Sequence, residues 1–213
     1  MKILSGEFVT SIATGGSLPP SERTVVALVG RSNVGKSSLI NALVKRRVAR
    51  AGTAPGVTRL LNVYRVCLSG GSRGNKSLTL VDLPGYGYAR GGEQARHRFN
   101  KLTTEFFTGM VKPSTRLGSS ARTARLAGAI LVVDSRHPGL DSDLAAHSWL
   151  VDRHCPLVVV ATKSDQLKRA IEQRITRDHE MALGCNVLRV SSKTGDGIKP
   201  LWTELTRLVA DLL

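Results

Sequence analysis

The segment Thr24 to Val29, TVVALV, runs without a break into Gly30-Arg31-Ser32-Asn33-Val34-Gly35-Lys36-Ser37 and then into the helical pattern of SLINAL. Nearly every side chain of the first run is apolar or β-branched, as a strand covered on both faces requires. The eight residues from Gly30 to Ser37 match G-x-x-x-x-G-K-[ST], with the strand before them and the helix after them. That succession leaves the chain little freedom. Its backbone must curl so that successive N–H groups and the helix N-terminus face one concentrated negative charge. Gly30 and Gly35 permit this path because neither carries a Cβ. Lys36 can then reach the β- and γ-phosphates of a nucleotide, and the Ser37 hydroxyl can ligate Mg²⁺. The expectation is a phosphate cradle over the whole stretch from Gly30 to Ser37.

Apolar runs of the same kind recur at Leu78 to Val81, Ala129 to Val133 and Leu157 to Ala161, with a last strand expected around Val187 to Val190. Stretches long enough for helices lie among them: Glu93 to Val111, Ser142 to Arg153, Leu167 to Leu183 and Ile198 to Leu212. Such alternation predicts an α/β fold, a mostly parallel sheet with helices on both faces. Asn62 to Leu68, NVYRVCL, alternates polar and apolar residues more clearly and reads as a strand nearer an edge. Its direction does not follow from the pattern. Ser69 to Ser77 reads as a polar hairpin connection, and Pro113 to Arg125, with three arginines, as a basic loop. A chain of 213 residues can bury one sizeable core but is short for two ordinary domains. Residues 24–213 are therefore expected to form one domain with polar loops at 69–77 and 113–125, and residues 1–23 an extension packing on it or flanking it.

Three further segments carry chemistry. Asp82-Leu83-Pro84-Gly85 follows a buried run, which places the Asp82 carboxylate at the carboxyl end of a strand, where it can hold Mg²⁺ through a water opposite Ser37. Gly85 can offer its N–H to the γ-phosphate and leave the chain free to move when that phosphate departs. Thr58, in GTAPGVTRLLN, can complete the magnesium shell through its hydroxyl and touch the γ-phosphate through its backbone, with Thr53 as a rival. Thr162-Lys163-Ser164-Asp165 follows another strand. Asp165 can accept both the N1–H and the exocyclic amine of guanine, a pair of donors that adenine lacks. The aliphatic stem of Lys163 can lie along the base. Backbone from Ser191-Ser192-Lys193 could contact guanine O6, though this motif alone is no more than a loop.

The charge balance suggests a partner. Lys and Arg number 31 against 16 Asp and Glu, a net +15, so the surface should attract a polyanion through counterion release. Solubility alone is the simpler account of the same excess. Only 4% of residues are aromatic, which argues against recognition by base stacking. Cys67, Cys155 and Cys185 are scattered and fit free thiols of a reducing cytoplasm better than disulfides or a zinc site. The opening MKILSGEFV lacks a signal-peptide core and no apolar run reaches bilayer-spanning length, so a soluble protein without membrane insertion is expected.

Taken in order, GRSNVGKSSLIN, PGVTRLLN, DLPGYGYA, TKSD and SSKTGDGI closely resemble the EngB/YihA/YsxC family of GTP-binding proteins. The resemblance spans nearly the whole chain and implies a Ras-like P-loop GTPase fold with a mixed six-stranded sheet. It implies GTP and GDP as substrate and product, and nucleotide contacts from Gly30 to Ser37, from Pro55, Gly56, Val57 and Thr58, from Asp82, Leu83, Pro84 and Gly85, from Thr162 to Asp165, and from Val190, Ser191 and Ser192. Magnesium would be held by Ser37 and Thr58 directly. The family also implies a role in assembly of the large ribosomal subunit, with its precursor, rRNA and ribosomal proteins as partners, and in normal cell division and septation. Val57 and Arg59 depart from the PGRTQ often found in the family, and the loop from Pro113 to Arg125 is longer and more basic than usual.

In this reading Lys36, Thr58 and Gly85 serve the chemical step. Many small GTPases place a water-orienting glutamine directly after the DxxG glycine, whereas Tyr86 stands here, so slow intrinsic turnover is expected. Asn33 in GxxNxGKS suggests a K⁺ ion near the phosphates in place of an arginine finger. Arg46, Arg47 and Arg50, and separately Arg116, Arg122 and Arg125, are candidates for rRNA phosphate contact. Off the ribosome a monomer is expected. Two competing readings are a GTP-dependent protein-binding switch at the division machinery without direct rRNA contact, and a metabolic kinase, which the TKSD segment disfavours.

Overall fold

The computed structural model describes residues 2–13, 16–50, 60–69, 74–86, 92–111, 124–210 and 212. Its elements in chain order are β1 (Ile3–Ile12), β2 (Thr24–Gly30), α1 (Lys36–Val44), β3 (Leu61–Leu68), β4 (Lys76–Asp82), α2 (Gly92–Val111), β5 (Arg125–Asp134), α3 (Asp141–Val151), β6 (Leu157–Thr162), α4 (Arg169–Leu183), β7 (Val187–Arg189) and α5 (Ile198–Leu208). A short 3-10 turn, Ser164–Gln166, separates β6 from α4, so the helix expected from Leu167 begins two residues later.

The strands form one sheet in the order β1-β3-β4-β2-β5-β6-β7. Pairings among β4, β2, β5, β6 and β7 are parallel, while β3 runs antiparallel to both β4 and β1. The α/β fold of the Ras-like type is thus present, with seven strands among the described residues against the expected six. The additional strand is β1, drawn from the stretch read as an extension. Two register shifts, between Ile3 and Ser5 and between Phe8 and Thr10, break its alternation and hide it from a period-two reading. β3 lies second from the edge, covered by β1.

Every residue of β2 is buried, and successive side chains serve opposite sides of the sheet. Val26 and Leu28 join the core formed with Leu39, Ile40 and Leu43 of α1 and Leu201 and Leu205 of α5. Val25, Ala27 and Val29 join the other core, which takes in Leu102, Phe106 and Phe107 of α2, Leu150 of α3 and Leu183 of α4. Each fully buried side chain of this size contributes about 1.5–3 kcal/mol. The central strand is thereby fixed from both sides, and with it the loop that leaves its carboxyl end.

The amino-terminal segment is held by an ion pair between a buried carboxylate and a partly exposed guanidinium. Glu22, only 1% exposed, accepts hydrogen bonds from the Arg65 guanidinium of β3, from the Thr79 hydroxyl of β4 and from Ser21. Burial pushes the Glu22 carboxyl up, but the hydrogen bonds from Arg65, Thr79 and Ser21 and the Arg65 charge outweigh it, leaving its pKa below the usual value. A carboxyl whose folded pKa is depressed adds stability above its unfolded pKa of about 4.3 and loses that contribution as pH falls through the folded value. Arg65→Ala should cost roughly 3–5 kcal/mol, because it strands a buried charge. Urea denaturation at neutral pH and in acid checks both points: the loss should be largest at neutral pH and shrink in acid. A loss below about 1 kcal/mol at neutral pH contradicts the assignment.

Candidate functional site

Gly30, Asp82, Asp134 and Thr162 end four adjacent parallel strands at the same edge of the sheet. Ligands of open α/β sheets bind outside such carboxyl ends. Between β2 and α1 the chain turns with Asn33 at φ 60° and Gly35 at φ 113°. A Cβ on Gly30 would lie 2.5 Å from the Val132 carbonyl, so the loop leaves the sheet by a path only glycine allows. The cap of α1 is Gly35, without a side-chain hydrogen bond, and its first turn contains no acidic residue. Its amino end therefore offers backbone donors to an anion.

Lys36 is buried, with its Nζ donating to the carbonyls of Gly30 at 3.1 Å and Arg31 at 3.3 Å. Its ammonium is thus folded over the loop. The Ser37 hydroxyl donates to Asp82 Oδ2 at 3.0 Å, and Asp82 Oδ1 is buried with no hydrogen-bond partner among the described residues. Burial raises the Asp82 carboxyl above its ordinary range, against the Lys36 charge and the Ser37 hydrogen bond. Burial also lowers Lys36, with Asp82 opposing it. A hydroxyl and a carboxylate with one unpaired buried oxygen form the hard-oxygen set that Mg²⁺ prefers, so these residues fit the ion. Leu83 and Pro84 are buried, and the Leu83 N–H donates to the Leu28 carbonyl at 3.1 Å.

The start of the segment after Asp82 lies directly on the phosphate loop. A Cβ on Gly85 would sit 2.4 Å from the Ser32 nitrogen, and the Tyr86 carbonyl accepts from the Ser32 N–H at 3.1 Å. The Tyr86 hydroxyl donates to Asp143 Oδ1 at 2.9 Å, and Arg31 Nε meets the same oxygen at 3.1 Å. Asp143, from α3, went unnoticed in the sequence. It lies 112 residues from Arg31 and 57 from Tyr86, and nothing local marks it.

At the other end of the site the Thr162 hydroxyl is 2.6 Å from the Val34 carbonyl and 3.1 Å from that of Val133, tying β6 to the loop from beneath. Lys163, at φ 61°, extends its Nζ to the Asn33 carbonyl at 2.8 Å and to Asp134 Oδ2 at 2.9 Å. Asp165 is exposed, and its Oδ1 accepts the Ser191 hydroxyl at 2.7 Å. Ser191 Oγ in turn accepts the N–H groups of Lys193 and Thr194 at 3.2 and 3.1 Å, so its own proton is directed at Asp165. Val190 is buried, and its carbonyl receives the Ser164 N–H at 3.3 Å. The TKSD and SSK segments, far apart in sequence, are one unit in space.

A groove of about 670 Å³ extends from Gly35 of the phosphate loop to this unit, lined among others by Thr162, Lys163, Asp165, Ser192 and Lys193. Lys45, Arg46 and Arg47 form part of its rim. Their turn is pinned by Asn41, whose amide donates to the Ala49 carbonyl and accepts the N–H groups of Val48 and Ala49, each at 2.8 Å. Arg125 begins β5 and so lies at the opposite end of the sheet from the groove. Pro55, Gly56, Val57, Thr58 and its rival Thr53 lie outside the described residues, as do Arg116 and Arg122.

Comparison with known proteins shows the family. The family model described as a 50S ribosome-binding GTPase matches residues 25–163. The chain is 36% identical over 210 residues to the "Probable GTP-binding protein EngB" of Geobacillus thermodenitrificans, covering 96% of this chain and 97% of that protein. It is 35% identical to the protein of the same name from Thermotoga maritima, covering 100% of this chain and 98% of that one. The chain belongs to the EngB family of GTP-binding proteins.

Solved structures bear out the fold. A crystal structure of a protein named engB superposes with a TM-score of 0.62 at 23% identity, covering 88% of this chain and 99% of that one. Aquifex aeolicus Era bound to GDP and aluminium fluoride gives 0.66 at 17% identity, covering 87% and 57%. Within this EngB-family chain the sheet brings Lys36, Ser37, Asp82 and Gly85 together around one loop, and Lys163, Asp165 and Ser191 around the far end of the groove. Asp134 is the second residue that sequence reasoning missed. Its signal was present, since it ends a buried strand just as Asp82 does. Among the described residues no helix is long and apolar enough to cross a membrane.

Proposed function

We propose that this EngB-family chain is a magnesium-dependent GTP switch of slow intrinsic turnover that acts in assembly of the large ribosomal subunit and through it in normal cell division and septation. The observation that carries the nucleotide reading is a groove with a glycine-cornered cradle at one end and the Ser191-directed Asp165 carboxylate at the other. The phosphates lie in Gly30 to Ser37, with Lys36 leaving the Gly30 and Arg31 carbonyls to meet them. Guanine lies at Asp165, between Lys163 and the backbone of Val190 to Ser192. Ser37 and Thr58 would hold Mg²⁺ directly, and Asp82 would hold it through a water. The bound ion supplies charge compensation on the β- and γ-phosphates. Lys36 and the loop N–H groups share that task, and the Gly85 N–H meets the γ-phosphate. Slow turnover is supported by Tyr86, whose hydroxyl is engaged by Asp143 rather than aimed at an attacking water.

The name of the matching family model and the net charge of +15 support the ribosomal role. Exposed Arg46, Arg47 and Arg50 supply phosphate contacts to rRNA. In density gradients of cell extract the chain should co-migrate with large-subunit precursors when GTP is present, shift to the top of the gradient with GDP, and be released as salt rises. Sedimentation as a cytoplasmic monomer in every nucleotide and salt condition contradicts the ribosomal reading and leaves the division-machinery switch.

Asn33 bears on a monovalent ion. Its carbonyl is held at the mouth of the cradle by Lys163, and the family pattern suggests K⁺ at that position. Turnover in potassium salt should exceed that in sodium salt of equal ionic strength roughly 100-fold, the low end of what one electrostatic contact at the transferring group supplies. Equal rates remove K⁺ from the mechanism.

A further inference from the structure

The carboxylate of Asp134 is saturated. Arg136 grips it with Nε on Oδ1 at 2.8 Å, Nη2 on Oδ2 at 2.7 Å and its backbone N–H on Oδ1 at 3.1 Å. The fourth contact is Lys163 Nζ on Oδ2 at 2.9 Å. Asp134 is 3% exposed and lies opposite Thr162 in the β5–β6 register, so the sheet fixes where it stands. Burial works against its charge, but the hydrogen bonds from Arg136 and Lys163 hold it ionised well below the usual carboxylate range. The Lys163 ammonium bridges this carboxylate and the Asn33 carbonyl.

Asn33 is a non-glycine residue at φ 60° in the centre of the cradle. Asparagine adopts that conformation more readily than most residues, and the Lys163–Asn33 bond fixes its carbonyl there. The same lysine emerges beside Asp165 and lines the groove where the base would lie. One side chain therefore joins the two ends of the site, and Asp134 is its anchor.

We propose that Asp134 is a positioning residue for guanine nucleotide, clamped by Arg136 and acting through Lys163 to hold the base platform and the phosphate cradle in register. With its carboxylate oxygens engaged by Arg136 and Lys163, Asp134 acts on the nucleotide through the lysine. Its role rests on the nucleotide reading of the groove and adds a determinant of affinity to it. Removing the negative charge frees the ammonium to leave Asn33, and the cradle then bears the ordering cost each time a nucleotide binds.

Release of a fluorescent GDP analogue from the full chain, with Mg²⁺ present, tests this by a double-mutant cycle of Asp134→Asn and Lys163→Met. Asp134→Asn keeps the shape of the side chain and should speed release and weaken affinity about tenfold. In the Lys163→Met background the same change should add less than about twofold, because the lysine through which it acts is gone. Arg136→Ala, which loosens the clamp from the exposed side, should speed release several-fold and serves if Asp134→Asn fails to fold. Thermal melting beside the binding assay separates the two causes: a merely structural role lowers the melting temperature of Asp134→Asn equally in both backgrounds, with additive effects on release. Additive effects, or unchanged release in both Asp134→Asn and Arg136→Ala, overturn the proposal. Failure of the wild-type chain to bind the GDP analogue overturns the nucleotide reading instead, so the two failures are distinct.

Discussion

Lys36→Met should lower affinity for both GDP and GTP by roughly 100-fold or more while leaving the far-ultraviolet circular dichroism of the chain unchanged. The size comes from the chemistry lost, since two charge-assisted hydrogen bonds to phosphate oxygens contribute about 1.5–3 kcal/mol each. The fold should tolerate the change because methionine retains most of the buried aliphatic stem. The carbonyls of Gly30 and Arg31 lose a donor, and because the Gly30 bond is buried a modest fall in melting temperature should accompany the change. Equilibrium dialysis with each nucleotide in magnesium buffer measures it. An affinity within about threefold of wild type would remove Lys36 from the phosphate site.

Asp165→Asn should exchange base preference. Guanine offers two donors to the carboxylate, whereas the amide can accept from N1–H and donate to the C2 carbonyl of xanthine. Loss of matched hydrogen bonds to a charged acceptor costs about 1.5–3 kcal/mol each, so GDP should weaken roughly 100-fold and xanthosine diphosphate should become the tighter ligand. Ser191 keeps the side chain aimed into the groove in both variants, because Lys193 and Thr194 occupy its acceptor positions. Competition against a labelled diphosphate, using GDP, ADP and xanthosine diphosphate, checks the exchange. Unchanged guanine preference contradicts the assignment of Asp165.

These two residues were legible in the sequence because their chemistry depends on neighbours in the chain. Gly30, Gly35, Lys36 and Ser37 must be close together for a strand to turn into a helix around phosphate, and TKSD must leave a strand to face the base. The central strands were legible for a related reason. β2, β5 and β6 are buried on both faces and so read as unbroken apolar runs. Beyond that, contacts decide. β1 was missed because its two register shifts spoil the alternation that marks an edge strand, and the direction of β3 is set by pairing, which alternation does not encode. Asp134 and Asp143 acquire meaning from partners 29 and 112 residues away, Lys163 and Arg31. Tyr86 shows the difference most clearly. Its position after Gly85 in the sequence predicts what it does not do, and only the contact with Asp143 shows what its hydroxyl is engaged in.

The central claim is that the loop from Gly30 to Ser37 encloses the diphosphate of a guanine nucleotide beside Mg²⁺. Isothermal titration of GDP, and in parallel ADP, into nucleotide-stripped protein in magnesium buffer tests it most directly. One GDP should bind per chain, weakening when magnesium is chelated, with ADP producing no saturable heat. A folded chain that takes up neither nucleotide, or takes up ADP as tightly as GDP, contradicts the claim.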